Sequence, residues 1–172
     1  MKEQQIKALS RVLESVPETA KQRLALAVEG HARVFVCASG RSGLMLRAFA
    51  MRLAQMGRTV YVAGETVTPA IRAGDLLVLA SASGHTSAVV HAAQVGLAYK
   101  ADLLVISARA ASPLAALHAP DVLLAAPDKD SAEEDVLMGT LFEQALLLLL
   151  DETVQRLRPD PARLRANHAN LE

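Results

Sequence analysis

The sequence predicts an α/β fold, a five-stranded parallel sheet doubly wound with helices, and three observations predict it. Short, fully apolar runs such as Leu76-Leu77-Val78-Leu79-Ala80 suit strands covered on both faces rather than strands with one wet face. Segments with helical spacing fall between most of these runs, and alternating strand and helix builds a parallel sheet. Two of the runs end in Ser- and Gly-rich clusters just before a helical pattern, at the carboxyl ends of strands where such sheets bind their ligands.

In chain order, Ile6, Leu9, Leu13 and Val16 are helically spaced, Pro17 interrupts the pattern, and Glu18 to Glu29 resumes it until Gly30 supplies a stop signal. Two helices therefore precede the sheet over about residues 1–30. Their outer faces have the core or a partner subunit to cover, and extra N-terminal helices favour the partner. Arg33 to Cys37 is the first strand, followed by the turn Ala38-Ser39-Gly40-Arg41-Ser42-Gly43 and a helix from Leu44 to Met56. Thr59 to Ala63, Leu76 to Ser81, Leu103 to Ser107 and Asp121 to Ala125 are the remaining strands, with a helix from Ser87 to Lys100. The 172 residues read as one domain, its sheet core over about 31–158 and a tail over 159–172.

Composition excludes several function classes. Hydrophobic residues make up 52% but aromatics only 3%, too few for an aromatic ligand cage or a base-stacking platform. Eighteen basic residues balance eighteen acidic ones without a Lys/Arg block, so nothing recruits nucleic acid or an anionic membrane. The single Cys37 sits in the run Val34-Phe35-Val36-Cys37 as a small buried hydrophobe, and builds neither a disulfide framework nor a metal cluster. Met1 to Ser10 lacks the apolar core of a signal peptide, which points to the cytoplasm. The apolar run Ala145 to Leu150 falls far short of the about twenty residues that span a bilayer.

Chemistry concentrates at the two junctions. In Ser81-Ala82-Ser83-Gly84-His85-Thr86-Ser87, hydroxyls and a glycine arrive where a strand passes into a helix. A helix N-terminus there offers free amides and the positive end of the dipole, both suited to a phosphate. The plainer alternative is an ordinary N-cap, for which one Ser or Thr suffices. The junction Ser39-Gly40-Arg41-Ser42-Gly43 is not a Walker loop, because Gly-Lys-Ser/Thr is missing. It is also a poor dinucleotide fingerprint, although Glu65 stands where a ribose-binding acid would.

The acidic stretch Asp128-Lys129-Asp130 and Glu133-Glu134-Asp135 reads as a solvated loop and helix start. Beyond it, Gly139-Thr140-Leu141-Phe142-Glu143 enters an apolar helix running through Leu150. A carboxylate in those surroundings costs free energy unless paired. Glu143 is either a proton-shuttling base or a first-turn acid favouring the helix dipole, and Glu65 is the rival base. Among the histidines, His31, His91 and His118 sit in structural or solvated settings. His85 lies inside the anion loop and His168 in the tail.

Taken together, Gly40-Arg41-Ser42-Gly43, Gly64-Glu65-Thr66-Val67-Thr68-Pro69, Ser81-Ala82-Ser83-Gly84-His85-Thr86, Gly139-Thr140-Leu141-Phe142-Glu143 and His168-Ala169-Asn170-Leu171-Glu172 resemble the motifs of the sugar isomerase (SIS) family. Within it they are similar to the 6-phospho-3-hexuloisomerase branch, whose members interconvert 3-hexulose 6-phosphate and fructose 6-phosphate in the ribulose monophosphate pathway of formaldehyde assimilation. The resemblance implies a five-stranded flavodoxin-like sheet, a homotetramer with sites shared between subunits, no metal and no organic cofactor. It also implies phosphate binding by Ser42, Ser81, Ser83 and Thr86, and catalysis by Glu143. The sequence departs from the family at His85, where Glu is usual, and at Ala38-Ser39, where Gly-Ala is commoner. The expected site therefore has Glu143 and His168 as catalytic residues and a sugar phosphate as ligand. Ser39, Gly40, Arg41, Ser42, Ser81, Ser83, Gly84, His85, Thr86 and Glu65 are its expected binding residues.

That chemistry suits these residues. Moving a ketone between C3 and C2 needs one base that removes the C2 proton and returns it at C3 through a cis-enediol, with donors polarising the carbonyl oxygen. One carboxylate suffices. The 3-ketose stays open-chain, whereas fructose 6-phosphate closes a furanose through O5, so a ring-opening acid is needed chiefly when fructose 6-phosphate is the substrate. The competing expectations are another aldose-ketose isomerase on the same scaffold and a non-catalytic module that senses a sugar phosphate.

Overall fold

The computed structural model describes residues 2–127 and 139–170; the acidic stretch between Asp128 and Met138, and Leu171-Glu172 of the tail, lie outside the described residues. The strands are β1 (Arg33–Cys37), β2 (Thr59–Val62), β3 (Leu76–Ser81), β4 (Asp102–Ser107) and β5 (Val122–Leu123). The helices are α1 (Lys2–Glu14), α2 (Glu18–Gly30), α3 (Gly40–Gln55), α4 (Ser87–Ala98), α5 (Pro113–Leu117), α6 (Thr140–Arg156) and α7 (Pro161–Ala166). All strand pairs are parallel and the sheet order is β2-β1-β3-β4-β5.

Side chains on a strand alternate between faces, and the apolar runs feed two separate cores accordingly. Val34, Val36, Leu76, Val78, Ala80, Leu104 and Ile106 face a large cluster with Leu24, Val28, Leu46, Phe49, Leu53, Phe142 and Leu146. Phe35, Leu77, Leu79 and Val105 face a smaller one with Val89, Ala93 and Leu114. Helices α1, α2, α3 and α6 therefore cover one face and α4 and α5 the other, which is why the strands carry no polar alternation. The inward sides of α1 and α2 pack on α6 through Val12, Val16, Leu24 and Val28, while Ile6 and Leu26 stay exposed. Among the described residues no buried side-chain polar atom lacks a hydrogen-bond partner.

The amino ends of β1 and β3 are tied by an ion pair. Arg33 donates from Nε and Nη2 to the two oxygens of Asp75 at 2.8 and 2.5 Å, and its guanidinium lies 5.2 Å from the Phe35 ring centre. The Arg33 guanidinium holds the buried Asp75 carboxyl below the usual carboxylate range, against the opposing push of burial. This clamp braces the end of the sheet opposite the Ser/Gly junctions.

Two boundaries differ from expectation by more than two residues, the start of the third helix and the length of the last strand. The third helix begins at Gly40 rather than Leu44, so Gly40-Arg41-Ser42-Gly43 is its first turn and not a loop before it. Gly43 makes this packing feasible, because a Cβ there would stand 2.8 Å from the Ala38 carbonyl oxygen. As the Thr/Pro loop after Gly64 leads one to expect, no helix separates β2 from β3. β5 is only two residues long, since it is an edge strand between Pro120 and Pro127 and Asp121 turns its carboxylate to the Val105 amide at 2.9 Å.

Candidate functional site

The strand order decides where the two junctions meet. From β1 the chain moves outward to β2, then crosses back to place β3 on the other side of β1. The crevice at such a switch point opens beyond the carboxyl ends of the two diverging strands. Here those ends carry Ser39-Gly40-Arg41-Ser42 and Ser81 to Ser87, and both line one crevice of about 840 Å³. Gly139, Phe142 and Glu143 from the start of α6 form another wall, and Arg109 and Ala111 beyond β4 complete the described lining.

The loop after β3 is held by its own hydroxyls and by its neighbour. Ser81 is buried; its Oγ accepts from the Gly84 amide at 3.1 Å and lies 3.0 Å from the Thr86 hydroxyl. The Ser83 hydroxyl accepts from the His85 amide at 3.2 Å. From the β4 side, the Ala108 amide donates to the Ala82 carbonyl at 3.1 Å and the Leu114 amide to the Gly84 carbonyl at 3.1 Å. Gly84 has φ +67°, and a Cβ on it would collide with the Ser112 side chain.

The caps do not fall at the two junctions. Thr86 precedes α4 and Ser39 precedes α3, yet neither makes a side-chain capping hydrogen bond. Ser112 and Asp160 do cap α5 and α7. The hydroxyls at the crevice are thus not used to close its two helix starts, and their amides and dipoles remain a setting for an anion.

Also lining the crevice, Glu143 stands in the first turn of α6, which packs along α3. Its carboxylate is not isolated among apolar residues. Arg41, in the first turn of α3, donates from Nε to Glu143 Oε2 at 2.5 Å, a charge-assisted bond that compensates an otherwise costly buried carboxylate. The crevice is therefore lined both by the hydroxyls and helix-start amides and by a carboxylate that Arg41 holds.

Most expected residues converge on this crevice: Ser39, Gly40, Arg41, Ser42, Ser81, Ser83, His85, Thr86 and Glu143. Three do not. Gly84 is buried behind the loop against Ser112 and shapes it rather than lining it. Glu65 follows edge strand β2, on the far side of β1 from β3, and is paired with Arg47 of α3. His168 lies beyond α7, next to Asn167, which follows that helix and whose side chain donates to the Gln55 carbonyl at 2.9 Å. Gln55 ends α3, and a helix of that length puts its two ends about 22 Å apart. Within one chain, His168 is therefore remote from the crevice at the start of α3.

Arg109 is the residue that sequence reading missed. It stands just past β4, at the third carboxyl end facing the same crevice, and its position after Ser107 was the available signal. The other histidines are occupied or solvent-facing: His31 bonds Asp102 at 2.8 Å and His118 bonds Asp121 at 3.0 Å, while His91 is exposed. Burial pushes the Cys37 thiol up, and Cys37 does not line the crevice. Among the described residues no three His, Cys, Asp or Glu side chains gather as metal ligands. No helix among them is long and apolar enough to cross a membrane.

The SIS domain family matches residues 28–148. A curated relative from Mycobacterium gastri, called 3-hexulose-6-phosphate isomerase, is 40% identical over 178 residues, covering 95% of this chain and 89% of its own. A protein of the same name from Methylomonas aminofaciens is 34% identical, covering 97% and 96%. A crystal structure of a hypothetical Methanococcus jannaschii protein, described as inferring a molecular function of 3-hexulose-6-phosphate isomerase, superposes with a TM-score of 0.84 at 26% identity, covering 98% and 99%.

Proposed function

The chain belongs to the SIS domain family, and from that premise we propose that it is an isomerase interconverting 3-hexulose 6-phosphate and fructose 6-phosphate. The observation that carries the reading is a carboxylate, Glu143, held by Arg41 in the same crevice that a hydroxyl loop at a helix start lines. A phosphosugar isomerase needs both, the loop for the phosphate and the carboxylate for the reacting carbons. The curated relatives that span nearly the whole chain support the choice of substrate.

In this reading the phosphate sits against Ser83, Thr86 and Ser42 and the first amides of α3 and α4, with Ser81 holding the loop in shape. Glu143 takes the C2 proton of the 3-ketose and returns it at C3. Arg41 keeps the carboxylate in place and presents the rest of its guanidinium to the oxygen on which the enediolate charge develops. The protein works in the cytoplasm, in the ribulose monophosphate pathway of formaldehyde assimilation, without metal or organic cofactor. It assembles as a homotetramer with its sites near subunit interfaces, and there the His168 of one copy can approach the crevice of another. Neither nucleic acid nor membrane is a partner.

The test is direct. Purified protein mixed with 3-hexulose 6-phosphate should yield fructose 6-phosphate, and a panel of aldose phosphates should be turned over far more slowly. No fructose 6-phosphate from the 3-ketose, or faster turnover of an aldose phosphate, would overturn the assignment.

A further inference from the structure

Fructose 6-phosphate is a furanose, and the cis-enediol step acts on the open chain. Resting on the isomerase reading above, we propose that His85 is the acid and base that opens and closes this ring. Three observations lead there. His85 lines the crevice within the loop read as the phosphate site. Its Nδ1 lies 2.8 Å from the Ser83 carbonyl oxygen; a carbonyl only accepts, so Nδ1 carries the proton and Nε2 is the nitrogen that gives and takes one. The other proton carriers are elsewhere or engaged. Among the described lining residues, Glu143 is assigned to the reacting carbons, and the guanidiniums of Arg41 and Arg109 do not deprotonate. His168 lies at the far end of α3 in the same chain.

The substrate's own skeleton fits this placement. The ring oxygen O5 sits on the carbon next to the one bearing the phosphate, so a group flanking the phosphate loop is a near neighbour of O5. Glu143 faces the reacting carbons farther along the chain. On opening, protonated His85 gives its Nε2 proton to O5 as the C2–O5 bond breaks. The anomeric hydroxyl loses its proton to water as C2=O forms. On closing, neutral Nε2 takes the O5 proton while O5 attacks C2, and water protonates the new anomeric oxygen. Protons balance in both directions and no redox partner is involved.

This role has a signature that binding alone lacks. A protein without a ring-opening group uses only the fructose 6-phosphate that opens spontaneously in water, so adding more of it cannot raise the rate beyond that supply. In heavy water, deuterium entry at C3 of fructose 6-phosphate should rise in proportion to wild-type concentration. With His85→Asn it should level off at a ceiling set by spontaneous opening, at high protein about tenfold or more below wild type. The open-chain 3-hexulose 6-phosphate should show no such ceiling with the same variant, which also shows that the variant is folded. His168→Asn, which removes the rival donor of a neighbouring copy, should show no ceiling whatever its rate at low protein. A ceiling already present in the wild type, no ceiling in His85→Asn, or a ceiling in His168→Asn overturns the proposal. Absence of any wild-type exchange or turnover is a different result: it overturns the isomerase reading and the role of His85 with it.

Discussion

Arg41 and Glu143, distant in sequence, meet at 2.5 Å through Nε and Oε2, the arginine side chain 65% exposed and the glutamate 11%. The pair joins the first turns of α3 and α6 and sets the carboxylate at the edge of the crevice rather than inside the core. A carboxylate beside Phe142 and Leu146 would otherwise be desolvated without compensation. The guanidinium removes that penalty while leaving the oxygens next to open space.

The first prediction concerns this pair. Glu143→Gln keeps shape but cannot accept a proton, so kcat should fall by about 10²-fold or more with substrate binding retained. Exchange of the C2 proton of 3-hexulose 6-phosphate in heavy water should vanish with it. Glu65→Gln, altering a carboxylate outside the crevice, should keep exchange. The reverse pattern moves the base to Glu65. Arg41→Gln should act through the same group, so the double variant with Glu143→Gln should be markedly less than additive.

Ser83→Ala and Thr86→Ala should each raise KM more than they lower kcat, because phosphate binding is shared by ground and transition states. Ser81→Ala should differ. Its hydroxyl bonds Gly84 and Thr86 and holds the loop, so the variant should also lower the melting temperature. Unchanged KM in both Ser83→Ala and Thr86→Ala removes the phosphate from this loop.

Gly84→Ala tests the bracing of the loop. The residue has φ +67° and no room for a Cβ beside Ser112, so strain and collision should destabilise by about 1–3 kcal/mol. Thermal unfolding measures it. Gly64→Ala, also at positive φ (+91°) but with open space around its Cβ, should cost less.

The His31 contact makes stability depend on pH. Burial pulls the His31 pKa down, but hydrogen bonds to Asp102 and to the Ala27 carbonyl outweigh it, and the net shift is upward. A histidine whose folded pKa lies above its unfolded value stabilises fully below the unfolded pKa. That stabilisation is lost as pH rises through the folded value. The stability difference between wild type and His31→Gln should therefore be full below the ordinary histidine pKa of about 6.5 and shrink as pH rises above it. Because Asp102 is largely exposed, the effect should be modest and smaller at high salt. A difference that grows with pH contradicts the assignment.

Much was legible from short stretches of chain. The run Leu76 to Ser81 matched its strand at both ends, as did Arg33 to Cys37, because a fully apolar run bounded by polar and glycine residues needs no distant information to be read. That Ser81 to Thr86 brings hydroxyls to a strand-helix junction was equally local. Boundaries failed where packing overrode the local signal, at the start of α3 and in β5. There, room beside Ala38 and the flanking prolines with the turned Asp121 carboxylate decided the length.

By itself the sequence determined the strand-helix alternation, the two Ser/Gly junctions and the presence of a carboxylate in an apolar helix start, all properties of neighbouring residues. Tertiary structure alone decided that the β1 and β3 ends share one crevice and that Glu143 meets Arg41. It also decided that Arg109 joins them, that Glu65 is spent on Arg47, and that His168 ends up behind the far end of α3. Local spacing fixes which face of an element a side chain takes. Which element lies beside it depends on the order in which strands enter the sheet and on the helices that cover them, and that order is settled by burial across the whole chain.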